Sequence, residues 1–361
     1  MNNKQTETLK TGRLISLDAF RGLTIFGMIS GSLGKELIAI PVLGIFFSQL
    51  QHSDWQGLTY YDLIFPAFLF IVGVAMPFSF AKRMSIGQSY NKIFLHALKR
   101  FIIIFLLGSL RTSVDDNSPA VFELSSALQP IAFAYFISFL FLGKSIKLRA
   151  IISGIIIIIY WFILELVPVP NIPAGIMEKN INIVTYLDNF LLGRSHPDGW
   201  GTLLLFFPQI TNTLFGTIVG DLLRSNRTSS EKIKLTGIIS GACIIVGIIT
   251  SQFVPSIQKI WTPSYNILTI GFSCLLMLIF YWVIDIKGHW KWSFFFIVLG
   301  MNALALYMLN SLFGGQLSHI VNIFIKDLVK MTGPSVRILV RIFVEWLIFY
   351  WMYKREIFIK I

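Results

Sequence analysis

Stretches of about 20 predominantly apolar residues recur along this chain, each the length a helix needs to cross roughly 30 Å of hydrocarbon. In lipid every backbone N–H and C=O must be satisfied internally, which leaves helices and closed barrels. These runs are apolar at every position rather than at alternate ones, so they read as helices. Composition agrees: 55% of the 361 residues are hydrophobic and 13% charged, where soluble domains carry about a quarter charged. The pattern predicts an all-α polytopic integral membrane protein with ten transmembrane helices in one bundle. They fall at 16–36, 60–81, 93–111, 122–142, 148–168, 202–223, 235–254, 264–286, 293–314 and 334–353.

Ten spans place both termini on one side. Lys and Arg gather in the N-terminal tail (1–14), the even-numbered loops and the C-terminal tail (356–361) and are sparse in the opposite loops. The positive-inside rule then predicts cytoplasmic termini and an extracytoplasmic position for residues 50–59. The net charge of +12 is thereby a topology signal, and nucleic-acid binding is not expected. Between the tails, 15–355 reads as one membrane domain. Two of its segments are not spans: an outer loop over 169–201, and an amphipathic helix over 316–332 with Lys326, Asp327 and Lys330 on its polar face. Small-residue pairs (Gly27/Gly31, Gly216/Gly220, Gly237/Gly241) are expected where helix backbones approach closely.

Polar groups at a membrane boundary are the candidates for chemistry, because charges inside the bilayer are costly. The stretch LQHSDWQGLTYYDLIFPAFLFIVG (50–73) sets His52, Asp54, Trp55 and Gln56 just ahead of a span that opens with Asp62. An imidazole, with a pKa of about 6.5 when unperturbed, suits taking a proton from an amine or hydroxyl. Either Asp54 or Asp62 would orient it, although Asp62 would equally cap the helix. Trp55 is a sugar-stacking platform or an interfacial anchor. Asp18 and Arg21 (i, i+3) form a structural pair or a polar anchor beside a substrate cavity. Gln129 and Asn302 are interhelical hydrogen-bonding groups or substrate contacts. Arg83, Lys99 and Arg100 are topology charges or hold an anionic donor. Cys243 and Cys274 sit in apolar runs, and no metal-ligand spacing occurs.

Several stretches together resemble a known family. RLISLDAFRGLTIFGMI (13–29), QHSDWQGLTYYDLIFPAFLFIVGVAM (51–76), LQPIAFAY (128–135), FFPQITNTLFGTIVGD (206–221), WTPSY (261–265) and GMNALALYML (300–309) look like the membrane domain of heparan-alpha-glucosaminide N-acetyltransferase and its bacterial relatives. The resemblance implies a transmembrane acyltransferase of the bacterial inner membrane. It would use acetyl-CoA from the cytoplasmic side as co-substrate and acetylate an amino sugar or glycan at the opposite face, with no metal. It assigns His52 of the H-x-x-W-x-G motif as acetyl carrier or base; Trp55 and Gln56 beside it are candidate acceptor contacts. Where eukaryotic relatives carry an Asn shortly after the first span's Met, this chain has Ser32, a hydroxyl donor for the oxyanion. The expected partners are the acceptor glycan and the lipid bilayer, with a homodimer as an option. The rival function is an inner-membrane transporter for an N-acetylglucosamine-type sugar.

Overall fold

A computed structural model describes residues 14–37, 44–120, 124 and 126–359; the side chains of 32, 34–36, 45, 331 and 332 lie outside the described set. Nearly every described element is a helix. In chain order these are α1 (Ile15–Leu37), α2 (Gly44–Ser48), α3 (Tyr60–Ser85), α4 (Tyr90–Asp115), α5 (Leu128–Leu140) and α6 (Ile146–Leu166). An antiparallel hairpin follows, β1 (Met177–Glu178) with β2 (Ile181–Asn182). Then come α7 (Ile183–Leu192), α8 (Phe206–Arg224), α9 (Ser229–Thr250), α10 (Pro263–Phe280), α11 (Phe294–Met301), α12 (Ala303–Thr332) and α13 (Pro334–Lys354). A π-helical segment, Tyr281–Ile286, extends α10.

Among the described residues, five helices are long and apolar enough to cross a membrane: α3, α4, α6, α9, and α10 with its extension. The α11–α12 pair, bent by 67°, makes a sixth if it counts as one span. Ile151, Ile155 and Ile158 on α6 are exposed, as are Ile245, Ile248 and Ile249 on α9. Helices this apolar on their outward faces find a matching solvent only in lipid. The protein is a multi-pass membrane protein.

The expected spans at 16–36, 202–223 and 334–353 are helices (α1, α8 and α13) that are not among these five, and three further segments take a different form from the one expected. The span at 122–142 is a 13-residue helix, α5, and residues 121–123 and 125 lie outside the described set. The span at 293–314 breaks at Asn302 (φ −127°, ψ 36°). There the Asn302 amide donates to the Ile357 carbonyl (3.0 Å) and accepts from the Ile359 N–H (2.9 Å). It thus pins the C-terminal backbone at the corner. The segment at 316–332 falls on the C-terminal part of α12, which kinks at the non-helical Ile325. Its Lys326, Asp327 and Lys330 are exposed.

The chain divides into two compact units. The first comprises Met1–His52, Thr59–Ile64 and Leu275–Ile361. Here α1 packs on α11, α12 and α13. A Cβ on Gly22 would strike the Phe296 carbonyl, and one on Gly300 the Asp18 carbonyl, so two glycines set the α1–α11 approach. The first amides of α1 lack intrahelical partners. Asp285 supplies them, accepting from Ile15 N (3.1 Å) and Ser16 N (3.3 Å).

The second unit comprises Ser53–Leu58 and Phe65–Cys274. Its α3 portion meets α8 backbone to backbone, where Gly73 and Gly216 face one another and Gly220 faces the Val74 carbonyl. Of the other small-residue pairs, Gly27 and Gly31 make room for the side chains of Ile64 and Tyr61, whereas Gly241 meets nothing within 4 Å. Arg149 of α6 is fully buried, donating to Thr217 Oγ1 (2.9 Å) and paired with Asp221 of α8. Within residues 169–201, Asn182 caps α7 (2.9 Å to Thr185 N) and Gly193 ends it at φ +72°. Buried Asp188 accepts from Thr202 N (2.7 Å) and Leu203 N (3.0 Å). Burial raises its pKa, and those two N–H groups partly offset the rise.

Candidate active site

Asp62 is the third residue of α3, and Thr59 precedes the helix. Asp62 Oδ2 accepts from Thr59 N (3.0 Å), and Thr59 Oγ1 accepts from Asp62 N (3.3 Å). This is a capping box with Asp in the place usually held by Glu or Gln. Asp62 Oδ1 is then directed to His52 Nδ1 at 2.8 Å. The carboxylate is fully buried and the imidazole side chain is 37% exposed. With its proton on Nδ1 facing Asp62, the ring carries its lone pair on Nε2, the tautomer required of a base or nucleophile.

The rest of the His52 surroundings in this unit is built on the end of α1. Gln51 donates through Nε2 to the Gly31 carbonyl (3.0 Å), and its own carbonyl accepts from Thr59 Oγ1 (2.7 Å). Tyr61 lies edge-on to His52 with ring centroids 4.5 Å apart. Its hydroxyl occupies the space a side chain at Gly31 would fill. Ser32 belongs to α1, but its side chain lies outside the described set. Asp18 and Arg21 pair at 3.4 Å, and Arg21 Nη1 also approaches the Gly300 carbonyl (3.5 Å). Their described contacts hold α1 and α11 together. Asn302 is occupied at the corner described above.

In the second unit, Asp54 is exposed, and its backbone carbonyl accepts from Lys259 Nζ (2.9 Å). The residue orienting His52 is therefore Asp62, the alternative that the spacing left open. Trp55 donates its indole N–H to the Met177 carbonyl (2.8 Å). Lys259 Nζ lies 6.0 Å from the Trp55 ring and 5.9 Å from that of Trp200. Gln56 is exposed. Gln129 is fully buried, donating to Ser109 Oγ (3.2 Å) and accepting from Ser126 N (3.2 Å). Its amide is committed to joining α5 to α4. Arg83 contacts Gln88 Oε1 (3.2 Å) and His96 Nε2 (2.7 Å). Arg100 lies over the Tyr135 ring (4.7 Å), with its Nε buried and without a hydrogen-bond partner, and Lys99 is exposed. Guanidinium groups of this kind fit phosphate oxygens. Among the described residues, no group of three or more His, Cys, Asp or Glu is placed to hold a metal ion.

The sequence pattern did not single out Lys259, Arg149 or Glu345, and it marked Arg341 only as a basic residue within a span. Each is a charge in or beside an apolar run, and the cost of such a charge in lipid is what makes it informative. Its partner, however, is not legible from its neighbours in the chain.

Residues 13–187 match the family model described as "Domain of unknown function (DUF5009)". The mouse heparan-alpha-glucosaminide N-acetyltransferase is 24% identical over 84% of this chain and 54% of its own length. The human protein of that name is 25% identical over 83% of this chain and 53% of its own. This chain is a distant relative of these acetyltransferases. It spans about half the length of the curated relatives it matches. The family-model match takes in His52, Thr59 and Asp62 together with Arg83, Lys99 and Arg100.

Proposed function

We propose that this protein is a membrane acyltransferase that moves an acetyl group from acetyl-CoA to an amino sugar or glycan. The reading is supported by the bond from His52 Nδ1 to a buried carboxylate whose second oxygen is already engaged by the helix cap, together with the relatives' printed activity. Acetyl-CoA would enter from the cytoplasm, and the acceptor would stand at the extracytoplasmic face of a bacterial inner membrane, in a ten-span topology with cytoplasmic termini.

Two schemes use the same tautomer. In one, Nε2 attacks the thioester carbonyl carbon, the C–S bond breaks, and the thiolate leaves with the electron pair. The acceptor amine then attacks the acetyl carbon, the Nε2–C bond breaks with its electron pair returning to Nε2, and the amine proton passes to Nε2 and on to solvent, from which the thiolate is reprotonated. In the other, Nε2 takes that proton as the N–C bond forms and the C–S bond breaks. In both, Asp62 holds the ring and compensates the charge it gains. Ser32 is proposed to donate to the oxyanion, Trp55 and Gln56 to meet the acceptor, and Arg83, Lys99 and Arg100 to hold the donor's phosphates.

Purified protein given labelled acetyl-CoA and glucosamine is expected to place label on the sugar. His52→Ala is expected to cut that rate by about 10²–10⁴-fold, the usual weight of a positioned acid–base group. Sugar uptake into proteoliposomes that needs no CoA, with no labelled sugar formed, would replace this reading with transport. Orientation is checked separately: a cysteine in place of exposed Asp54 is expected to react with an impermeant thiol reagent from the extracytoplasmic side. Labelling from the cytoplasm alone would invert the topology.

A further inference from the structure

Glu345 is fully buried on α13, yet nothing in the chemistry above uses it. Its Oε1 accepts from Asn310 Nδ2 of α12 (3.0 Å) and lies 3.9 Å from Arg341 Nε, while Oε2 is buried with no hydrogen-bond partner. Arg341 extends from the same helix, one turn earlier. Its Nη2 donates to the Ile29 carbonyl of α1 (2.9 Å). Gly314 on α12 leaves room for this guanidinium, since a Cβ there would come within 3.3 Å of Nη1. A buried charge pair of this kind contributes little net stability, because desolvation cancels most of its attraction. What it supplies is geometry: three helices meet at one guanidinium.

The carbonyl that Arg341 holds is two residues from Gly31, where the His52 surroundings begin. Gly31 accepts from Gln51, the residue next to His52, and accommodates the hydroxyl of Tyr61, whose ring edges His52.

We propose that Arg341, paired at 3.9 Å with a Glu345 that Asn310 itself holds in place, is a positioning residue for His52, acting through the end of α1. The chain of contacts runs Glu345–Arg341–Ile29, then Gly31 to Gln51 and Tyr61, and so to the imidazole, all within one compact unit. The proposal rests on the reading of His52 as the reacting group, but its test does not require acetyl transfer.

The readout is carbethoxylation of His52 by diethyl pyrocarbonate at neutral pH, followed by peptide mass spectrometry in the full-length protein. Exposed His319 on α12 serves as internal standard. Arg341→Gln is expected to change the His52 rate relative to His319 by about 2- to 30-fold, the size of coupling carried through packed networks. Arg341→Lys, which keeps a donor for Ile29, is expected to restore most of the wild-type ratio. Glu345→Gln keeps the shape and the bond from Asn310, so it carries the test should Arg341→Gln fail to fold, and it is expected to shift the ratio in the same direction. Arg337→Gln removes a charge from the same helix and should leave the ratio unchanged. An unchanged ratio in folded Arg341→Gln or Glu345→Gln overturns the proposal. So does a change that Lys fails to restore, or one that Arg337→Gln reproduces. A shifted ratio in a protein that transfers no acetyl group would sustain the positioning role while removing the acyltransferase reading.

Discussion

Asp62→Asn is expected to lower acetyl transfer by about 10²–10⁴-fold while leaving most of the protein folded. The carboxylate has two oxygens and both are committed, Oδ1 to His52 Nδ1 and Oδ2 to the Thr59 amide. An asparagine of the same shape offers one acceptor oxygen and one NH₂. If the oxygen faces His52, the NH₂ opposes the Thr59 N–H and the reciprocal half of the α3 capping box is lost, at a cost of about 1 kcal/mol. If the oxygen faces Thr59, the NH₂ donates to Nδ1. That forces the imidazole into the tautomer with its proton on Nε2, which can neither attack a carbonyl nor accept a proton. The observable pair is therefore linked: rate of transfer against thermal stability in detergent. Loss of rate with little loss of stability marks the second orientation, and the reverse marks the first. A variant that matches wild type in both would show that the His52–Asp62 bond has no part in the chemistry. Thr59→Ala removes the other half of the cap, from Asp62 N to Thr59 Oγ1, together with the Oγ1 bond to the Gln51 carbonyl, while the carboxylate keeps both oxygens for His52 and the backbone amide at position 59.

The His52–Asp62 site is legible in the sequence because its members are close in the chain and stand out against apolar neighbours. Which of Asp54 and Asp62 orients the ring is not. Spacing does not say which of two nearby carboxylates a loop will turn inward, and the capping role of Asp62 looks like a competing explanation. It is a complementary one, because a carboxylate can serve two donors at once. Gln129 and Asn302 are recognisable as polar groups in apolar runs. Their partners, Ser109 in one case and the backbone at Ile357 and Ile359 in the other, lie 20 and more than 50 residues away in sequence. No local pattern encodes that. Arg149 is the sharpest case. At the start of the 148–168 run it reads as a topology charge marking the cytoplasmic side, yet it is buried against Asp221 of α8, 72 residues on. The length and apolarity of α3, α4, α6, α9 and α10 are plain from the sequence, as these follow from the bilayer's thickness. The corner at Asn302 is not, because it is made by tertiary capture of a distant stretch of backbone rather than by Pro or Gly.

Gly216→Ala and Gly241→Ala are expected to move stability in opposite directions, although both belong to the same kind of small-residue spacing. At Gly216 a Cβ would overlap the Phe70 carbonyl of α3 and lie 3.0 Å from the Gly73 Cα. These are backbone atoms, which cannot swing aside as a side chain can, so α3 and α8 must separate along a seam that Gly73 and Gly220 also define. Overpacking of a close-packed contact costs about 1–3 kcal/mol when it can relax at all. The cost here falls at the upper end, because small residues are what allow helices to pack in lipid where no hydrophobic effect drives them together. At Gly241 on α9 a Cβ meets nothing within 4 Å, and the substitution only removes the backbone freedom of a helical glycine. That gains roughly 0.5–1 kcal/mol in a helix interior. Thermal unfolding of the two variants in the same detergent separates them: Gly216→Ala should unfold at lower temperature than wild type and Gly241→Ala at equal or higher temperature. Equal destabilisation by both would mean that α9 has a close backbone partner of its own. A neutral Gly216→Ala would mean that α3 and α8 do not meet at Gly73, and the packing that carries the second unit would have to be redrawn.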